Sequence, residues 1–368
     1  MTKVELNGPI ARRFPLVARI RPVCLPLSAR VGKICEFADA GARDADPGLA
    51  STAFNQAALV ASDVGLPDLA RAWCHRHATA YLPARPLPKM AAIRALEPLV
   101  NLARLHIRAG RGDDGRRLLL DLFNAISKNT EVVLDSITIP AGLTRTEAEH
   151  HEVREWLWRV LLADGTRALT AAGRWTEALD HVEQHRGVGN RMLDGRQVAL
   201  FAALASEDTQ RTLHLLATTT PGEAWEQNVT SCLTALFHRH LDQPYEKEFV
   251  ALSDAYQQRE PEPGLAVFDA RLGLSVLDAA EGAASEIVDR ITNEMTIRAI
   301  AAQDGYAARE ILTHSTARGR MPKHEAENLR GLVRSCGLGE RALPTELHAR
   351  LQVALEKSSE VVKQTYGP

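Results

Sequence analysis

The sequence predicts an all-α protein, and three observations support that prediction. Apolar residues recur at helical spacing along most of the 368-residue chain. Aromatic residues make up only 5% of the chain against 45% hydrophobic residues, a balance that suits packed helices rich in Ala and Leu. A β-branched run occurs in one stretch, Glu131–Leu143, which we interpret as an extended loop between helices.

The clearest helix pair lies between Leu161 and Gly187. Apolar and small residues fall at helical spacing before Gly173 and again from Trp175 onward. Gly173 interrupts that periodicity, as a turn glycine between two helices does. Each helix has one apolar face that the other can bury, so this stretch is predicted to form a helical hairpin.

The Gly-x-Trp-x-Glu-Ala order at 173–178 resembles the inter-helix turn and second helix of a tetratricopeptide repeat. Similar patterns surround Gly65 and Gly110. The resemblance implies a right-handed superhelix of stacked antiparallel helix pairs, whose hollow side is the usual binding surface. The three turn glycines lie 45 and 63 residues apart, against about 34 in this family, so the repeats are degenerate.

Local sequence signals predict where individual helices begin, and they divide the chain into five segments. Arg30–Ala40 is expected to form a short helix, and the residues around it to wrap the first repeat. Ser51 is the predicted N-cap of the first repeat helix, and Thr144 with Glu147 has the spacing of a capping box. The segments are a Pro- and Arg-rich N-terminal lead (1–48), helical hairpin repeats (49–128), an extended loop insertion (129–146), further hairpin repeats (147–335), and C-terminal capping helices with a tail (336–368).

Charge and cysteine content narrow the function classes. The formal net charge is −2, so no overall positive field attracts nucleic acid or an anionic membrane. The lead contains no helix-turn-helix pattern, and no apolar run reaches the roughly 18 residues of a membrane span. The five cysteines form no Cys-x-x-Cys pair, which favours a reducing cytoplasm. Basic residues are 36 Arg and 8 Lys, a bias typical of a GC-rich, for example actinobacterial, genome.

Two motifs resemble a nucleotide-binding site and a metal site, but their sequence context does not support either function. Gly110–Gly115 spells the dinucleotide-binding pattern G-x-G-x-x-G. The residues before it have helical periodicity, not that of a buried strand, so we interpret it as an inter-helix turn. His181 and His185 stand at i and i+4, but Val182 replaces the Glu of a zincin and no third ligand is evident. We interpret this pair as a solvated helix face, and predict no metal, cofactor or catalytic residue.

The resemblance also implies a binding groove. Residue by residue, the family's ligand-facing positions on the first helix of each hairpin are polar and mostly cationic here. Such a groove would bind a carboxylate or the backbone of an extended peptide through charge-assisted hydrogen bonds. The alternative is that these are solvated side chains on a helix surface. The implied groove residues are Asn55, Asn101, Arg104, Arg108 and Arg167.

The first functional hypothesis is a non-enzymatic, cytoplasmic adaptor or sensor that binds a peptide or protein partner. It is similar to the sensor half of actinobacterial regulators that join such repeats to a DNA-binding domain, although direct binding to nucleic acid is not expected. A homodimer is compatible with it. The alternative is an enzyme or biosynthetic accessory protein acting on a small molecule or peptide, with a pocket built from His150, His151, Arg154, Trp156 and Trp158.

Overall fold

The computed structural model describes residues 5–280 and 285–367. Over this part the protein is all-α, as predicted, and consecutive helices pack against each other. The helices are α1 (Leu27–Asp44), α2 (Pro47–Val64), α3 (Pro67–Tyr81), α4 (Lys89–Arg108), α5 (Gly112–Lys128), α6 (Glu147–Ala171), α7 (Trp175–Gln184), α8 (Asp194–Ala205), α9 (Thr209–Ala217), α10 (Ala224–His240), α11 (Glu246–Gln258), α12 (Ala266–Ala279), α13 (Ser285–Ala301), α14 (Gly305–Thr313), α15 (Ser315–Arg320), α16 (Lys323–Ser335) and α17 (Thr345–Tyr366). The strands are β1 (Val132–Leu134) and β2 (Ile137–Ile139).

The chain forms two compact units. Unit I comprises Pro26–Ala168 and Gly337–Pro368, and unit II comprises Met1–Leu25 and Leu169–Cys336. Each unit therefore combines two separate stretches of the sequence. These units cut across the five segments predicted from the sequence, because contacts between distant stretches leave no mark on local periodicity.

In unit I, α2 packs against α3 and α4 packs against α5, and the two first helices of these pairs also touch each other. Helix α17 packs on α1, α2 and α3, so the end of the chain closes the core formed near its beginning. Its apolar face places Leu351, Leu355 and Val362 in that core. The C-terminal helix thus covers the first predicted repeat.

In unit II, the pairs are α8 with α9, α10 with α11, and α12 with α13, while the first helices α10, α12 and α14 contact one another in turn. An aromatic cluster occupies the core. Trp175 stacks on Phe201 with ring centroids 4.4 Å apart, and Phe201 meets Phe237 edge-on at 5.3 Å. Trp175 therefore serves as a core residue of the second helix of its hairpin.

The turn glycines act as the periodicity predicts. Gly65 ends α2 with φ +94°, and Gly110 lies between α4 and α5 with φ +77°; both are left-handed conformations that favour Gly. The G-x-G-x-x-G stretch follows a helix and not a strand, which confirms the inter-helix turn. Gly115 has a packing role, because a Cβ there would lie 2.6 Å from the carbonyl oxygen of Ala103.

The predicted N-cap of α2 is wrong. The helix begins at Pro47, and the Asp46 side chain accepts a hydrogen bond from Gly48 N at 2.6 Å. Ser51 is instead buried within the helix, and its hydroxyl lies 2.7 Å from that of Tyr81. Proline in the first helical position needs no N–H partner, so the chain starts the helix one turn earlier.

The capping box of α6 is shifted by two residues from its predicted position. Glu149 N donates to Thr146 Oγ1 at 3.2 Å, and Thr146 N donates to Glu149 Oε2 at 3.1 Å. This is the reciprocal pattern of a capping box. The same Ser/Thr-x-x-Glu spacing occurs at both places, and the packing of the preceding segment decides which one is used.

Two further expectations are corrected. The 129–146 segment is not only a loop, because β1 and β2 pair antiparallel with Val132 opposite Ile139. In the N-terminal lead, α1 is an 18-residue helix rather than a short one. Residues 5–25 do not wrap the first repeat but belong to unit II, where buried polar groups supply their partners. No helix in the described ranges has both the length and the apolarity to cross a lipid bilayer.

His77 gives unit I a predicted pH dependence. Its ring is buried in α3 and stacks on Phe54 with centroids 4.8 Å apart. Burial, followed by the nearby Arg94 charge, lowers the pKa of His77 to about 3 from an ordinary value of 6.5. Between these values the unfolded chain binds a proton that the native unit does not, so stability falls as pH falls below 6.5.

We expect unit I to lose about 2 kcal/mol of unfolding free energy between pH 7.5 and pH 5 through this one residue. His77→Phe should remove that part of the loss, whereas His151→Phe, on the exposed face of α6, should leave it unchanged. Urea titrations read out by hydrogen exchange within α3 measure the effect. An unaltered pH dependence in His77→Phe would contradict the assignment.

Candidate functional site

Residues of three helices of unit I, α2, α4 and α6, line one cavity of about 390 Å³. That volume lies in the range of small-ligand and peptide side-chain sites, roughly 300–1,000 Å³. The cavity wall includes four of the five groove residues predicted from the sequence, namely Asn55, Asn101, Arg104 and Arg108. The fifth, Arg167, lies outside the wall and pairs with Asp164 on the same helix.

The polar wall follows from residue spacing on α4. Glu97, Asn101, Arg104 and Arg108 are separated by four, three and four residues, which places them on one helix face. All four line the cavity. The preceding turn of that face carries Arg94, so the polar stripe spans most of the helix. A polar stripe on the side of a helix that faces a cavity is unusual for a packing surface and typical of a binding surface.

A chain of hydrogen bonds fixes the orientation of the polar groups. Arg104 Nη1 donates to Asn101 Oδ1 at 3.4 Å, and Asn101 Nδ2 donates to Asn55 Oδ1 at 2.9 Å. Asn55 Nδ2 in turn donates to Glu97 Oε2 at 2.7 Å. The chain links α2 with α4, and each amide still has one N–H that these bonds do not use.

Two buried carboxylates position the arginines. Arg104 Nε donates to Asp164 Oδ2 at 3.0 Å, and Arg108 Nη1 lies 3.2 Å from Asp63 Oδ1. The Asp side chains are 3% and 4% exposed, while the two Arg side chains are 48% and 49% exposed. Each guanidinium group is therefore held by a buried carboxylate, while about half of its side chain remains exposed to solvent.

Each of these carboxylates serves two guanidinium groups. Asp63 also pairs with Arg30 at 2.6 Å, and Asp164 also pairs with Arg167 at 3.2 Å. One negative charge shared by two positive charges neutralises neither fully. Arg108 uses only its Nη1 donors, toward Asp63 and the Ser62 hydroxyl at 2.9 Å. Its Nη2 and Nε donors have no partner among the described residues and remain available to a ligand.

Among the described residues, Glu97 is the one acidic residue that lines the cavity. Burial raises the pKa of Glu97 above its ordinary value of 4.5, and the hydrogen bond from Asn55 together with the charges of Arg94 and Arg104 opposes that rise. As pH falls through the raised pKa, the carboxyl becomes neutral. The cavity therefore becomes more positive when Glu97 is protonated.

Apolar side chains also line the cavity, contributed by Leu59 of α2, Leu105 of α4, and Trp156 and Val160 of α6. Cys74 of α3 also borders the cavity. Burial raises the pKa of the Cys74 thiol to about 12, with a smaller contribution from Asp135. This cysteine is therefore a neutral, packed thiol and not a reactive thiolate.

The five residues of the alternative pocket, His150, His151, Arg154, Trp156 and Trp158, lie on α6 but do not all line this cavity. Of the five, Trp156 lies in the wall of this cavity, and the other four do not. His151 and Arg154 are exposed. Trp158 follows Trp156 by two residues, which places it on the other side of the helix. The structure therefore does not assemble these five side chains around the α2–α4–α6 cavity.

The histidine pair on α7 is partly corrected. The rings of His181 and His185 lie edge to face with centroids 5.1 Å apart, but His181 is buried, so the pair is not a solvated face. Its burial follows from the position of His181 three residues after Ala178, on the packed side of α7. Within the described ranges, no three His, Cys, Asp or Glu side chains cluster closely enough to hold a metal ion.

Sequence reasoning found the cationic side of the cavity but missed three acidic residues. Glu97 shares the helical spacing of Asn101 and Arg104, so the periodicity of α4 contained a signal for it. Asp63 and Asp164 gave no such signal, because each pairs with residues of another helix. Comparison with known proteins finds no matching family model, no matching curated protein and no matching solved structure.

Removing the Asp63 carboxylate should destabilise unit I. Asp63→Asn leaves Arg30, which is only 10% exposed, without its anionic partner, at a cost of about 3 kcal/mol in unfolding free energy. The matched control Asp121→Asn changes an exposed side chain of α5 and should shift stability by less than about 0.5 kcal/mol. Urea denaturation of the three proteins provides the comparison, and equal stabilities would disprove the anchoring role.

Proposed function

We propose that this protein is a non-enzymatic, tetratricopeptide-like adaptor or sensor that binds an extended acidic peptide of a partner protein in the α2–α4–α6 cavity. The observation that supports the proposal most is the presentation of Arg104 and Arg108. Both side chains are half exposed in the cavity, and both share their buried carboxylate with a second arginine. A ligand carboxylate supplies the missing negative charge.

The spacing of the two arginines suggests the ligand pattern. Residues 104 and 108 are one helical turn apart, a rise of about 5.4–6 Å. Side chains on one face of an extended peptide recur every two residues, about 6.6–7 Å. We therefore expect acidic side chains at positions i and i+2 of the bound peptide. Between them, the unused amide N–H groups of Asn55 and Asn101 are suited to a peptide carbonyl.

The proposal places the protein in the cytoplasm as a regulatory component that acts through its partner. The five cysteines form no disulfide in the described part of the chain, and four of them are buried, which agrees with a reducing compartment. The near-neutral net charge of −2 agrees with a protein rather than a nucleic-acid partner. A homodimer stays a prediction, and sedimentation or light scattering of the purified protein tests it.

The double substitution Arg104→Ala with Arg108→Ala should weaken binding of an Asp-x-Asp octapeptide at least tenfold, because two charge-assisted contacts are lost. Fluorescence anisotropy with a labelled peptide at low ionic strength measures this. The control is Arg117→Ala with Arg145→Ala, which removes the same charge from exposed positions and should leave the affinity unchanged.

Equal weakening in both double variants would show that only overall charge matters, and no weakening in either would remove the assignment of the cavity. A peptide with Asn-x-Asn in place of Asp-x-Asp provides the corresponding ligand control. Thermal denaturation of each variant confirms that the comparison is made between folded proteins.

Glu97 should make this binding pH-dependent. Protonation of a carboxyl with a raised pKa removes from the cavity a negative charge that repels the acidic peptide, so affinity for that peptide should rise as pH is lowered through this pKa. Glu97→Gln should bind about fivefold more tightly at pH 8, equivalent to about 1 kcal/mol, and lose the pH response. A Glu97→Gln protein with unchanged affinity and pH profile would contradict this.

A small-molecule ligand is the second candidate, and the apolar lining residues, among them Trp156, favour it. A cavity of about 390 Å³ with both apolar and cationic lining residues also suits an organic anion. Thermal-shift screening against carboxylates and phosphate esters separates the two. Stabilisation by a small anion without binding of acidic peptides would support the alternative.

A further inference from the structure

Residues 5–25 contribute no α-helix to unit II, yet they contact it along much of its length. Apart from one short 3-10 helix, Ala11–Arg13, the segment lacks regular structure. Its backbone meets α7 near its start, where Trp175 Nε1 donates to Leu6 O at 3.0 Å. Near its end, Gly305 N at the start of α14 donates to Cys24 O at 2.9 Å. The segment therefore contacts unit II from α7 to the start of α14.

Gln197 of α8 binds the backbone of this segment as a clamp. Its Oε1 accepts from Leu16 N at 2.7 Å, and its Nε2 donates to Leu16 O at 2.9 Å. Gln197 is completely buried. One carboxamide thus satisfies both backbone groups of one residue, which is a way of holding a peptide that does not depend on the identity of the side chain.

Arg13 provides a buried cationic anchor. It forms an ion pair with Asp278 of α12, and its Nε donates to Ser275 Oγ at 3.3 Å. Asp278 is also held by His314, whose Nε2 lies 2.9 Å from Oδ1, while His314 Nδ1 accepts from Ala317 N. The carboxylate is therefore oriented by unit II itself and receives the guanidinium group from the segment.

Apolar side chains of the segment fill a neighbouring pocket. Phe14 and Leu16 are each 3% exposed. The Phe14 ring lies 5.1 Å from that of Phe201, which stacks on Trp175. Phe14 has extended backbone angles, with φ −98° and ψ 151°. Phe14 is thus an extended residue that packs on the Phe201 ring, close to the residue whose backbone Gln197 binds. Bound peptides are held in this way.

The groups that receive the segment lie mainly on first helices of the pairs in unit II. Gln197 and Phe201 belong to α8, and Ser275 and Asp278 belong to α12. Each of the pairs α8 with α9, α10 with α11 and α12 with α13 is formed by contacts between its own two helices. The segment therefore lies on side chains that α8 and α12 present.

We propose that unit II is a second peptide-binding array, and that residues 5–25 are its tethered ligand. The chemical class of ligand follows from the contacts: an extended peptide with a cationic residue, an aromatic residue directly after it, and an aliphatic residue two positions further on, as Arg13, Phe14 and Leu16. A partner protein that carries this pattern displaces the segment. This inference is independent of the acidic-peptide site of unit I.

The test uses the full chain with a specific protease site inserted between Leu25, which is 40% exposed, and Pro26. The folded protein is cut and mixed with a fluorescein-labelled synthetic peptide of residues 9–21. Before cutting, the tethered segment competes at high effective concentration. We expect the labelled peptide to bind the cut chain at least tenfold more tightly than the uncut chain of the same variant.

Two peptide controls define the recognition. A peptide with Arg13→Glu should bind at least tenfold more weakly, because Asp278 then faces a like charge, and a scrambled peptide of equal composition should behave similarly. In the protein, Gln197→Ala should weaken the labelled peptide without changing the preference for Arg over Glu at position 13.

Three results would overturn the proposal. The cut fragment could stay bound without exchanging with the labelled peptide, or the cut protein could lose its helical circular dichroism when the fragment leaves, and either result makes residues 5–25 an integral part of the core. Equal binding of the native and scrambled peptides would show charge attraction without recognition.

Discussion

The structure depends on one constraint: each helix has an apolar face that only another helix can bury. The pairs α2 with α3 and α4 with α5 satisfy this locally, and contacts between first helices extend the core from pair to pair within a unit. Once the apolar faces are buried, the opposite faces of the first helices are free to carry polar side chains. The α4 stripe from Glu97 to Arg108 is such a face.

Buried carboxylates hold the arginine side chains of that face in fixed orientations. A half-exposed arginine usually samples many rotamers, and ordering it on binding costs side-chain entropy. Asp63 and Asp164 remove part of that cost for Arg108 and Arg104, because each holds its guanidinium group from a buried position. The same carboxylates bind Arg30 and Arg167, so the positive character of the surface is retained. The same two ion-pair clusters therefore join helices of unit I and orient the half-exposed arginines.

The two units use their first helices in chemically opposite ways. In unit I, cationic side chains and amides border a cavity of about 390 Å³. In unit II, an acidic side chain, a glutamine and an aromatic shelf receive an arginine and apolar groups from residues 5–25. The helix pairs are similar in kind, and the residues on one helix face determine the charge that this face presents.

The amino-acid sequence is sufficient to specify the helices, because helical periodicity, turn glycines such as Gly65 and Gly173, and the scarcity of β-branched runs are local properties. It also determined one side of the candidate site, since Asn101, Arg104 and Arg108 share a face of one helix whatever that helix packs against. Packing between distant stretches, in contrast, makes Asp63 and Asp164 anchor those arginines, places α17 on the core of α1 to α3, and brings residues 5–25 into unit II. These pairings join residues from 45 to more than 300 positions apart, and periodicity within a helix specifies that a face must be buried but not which distant element buries it.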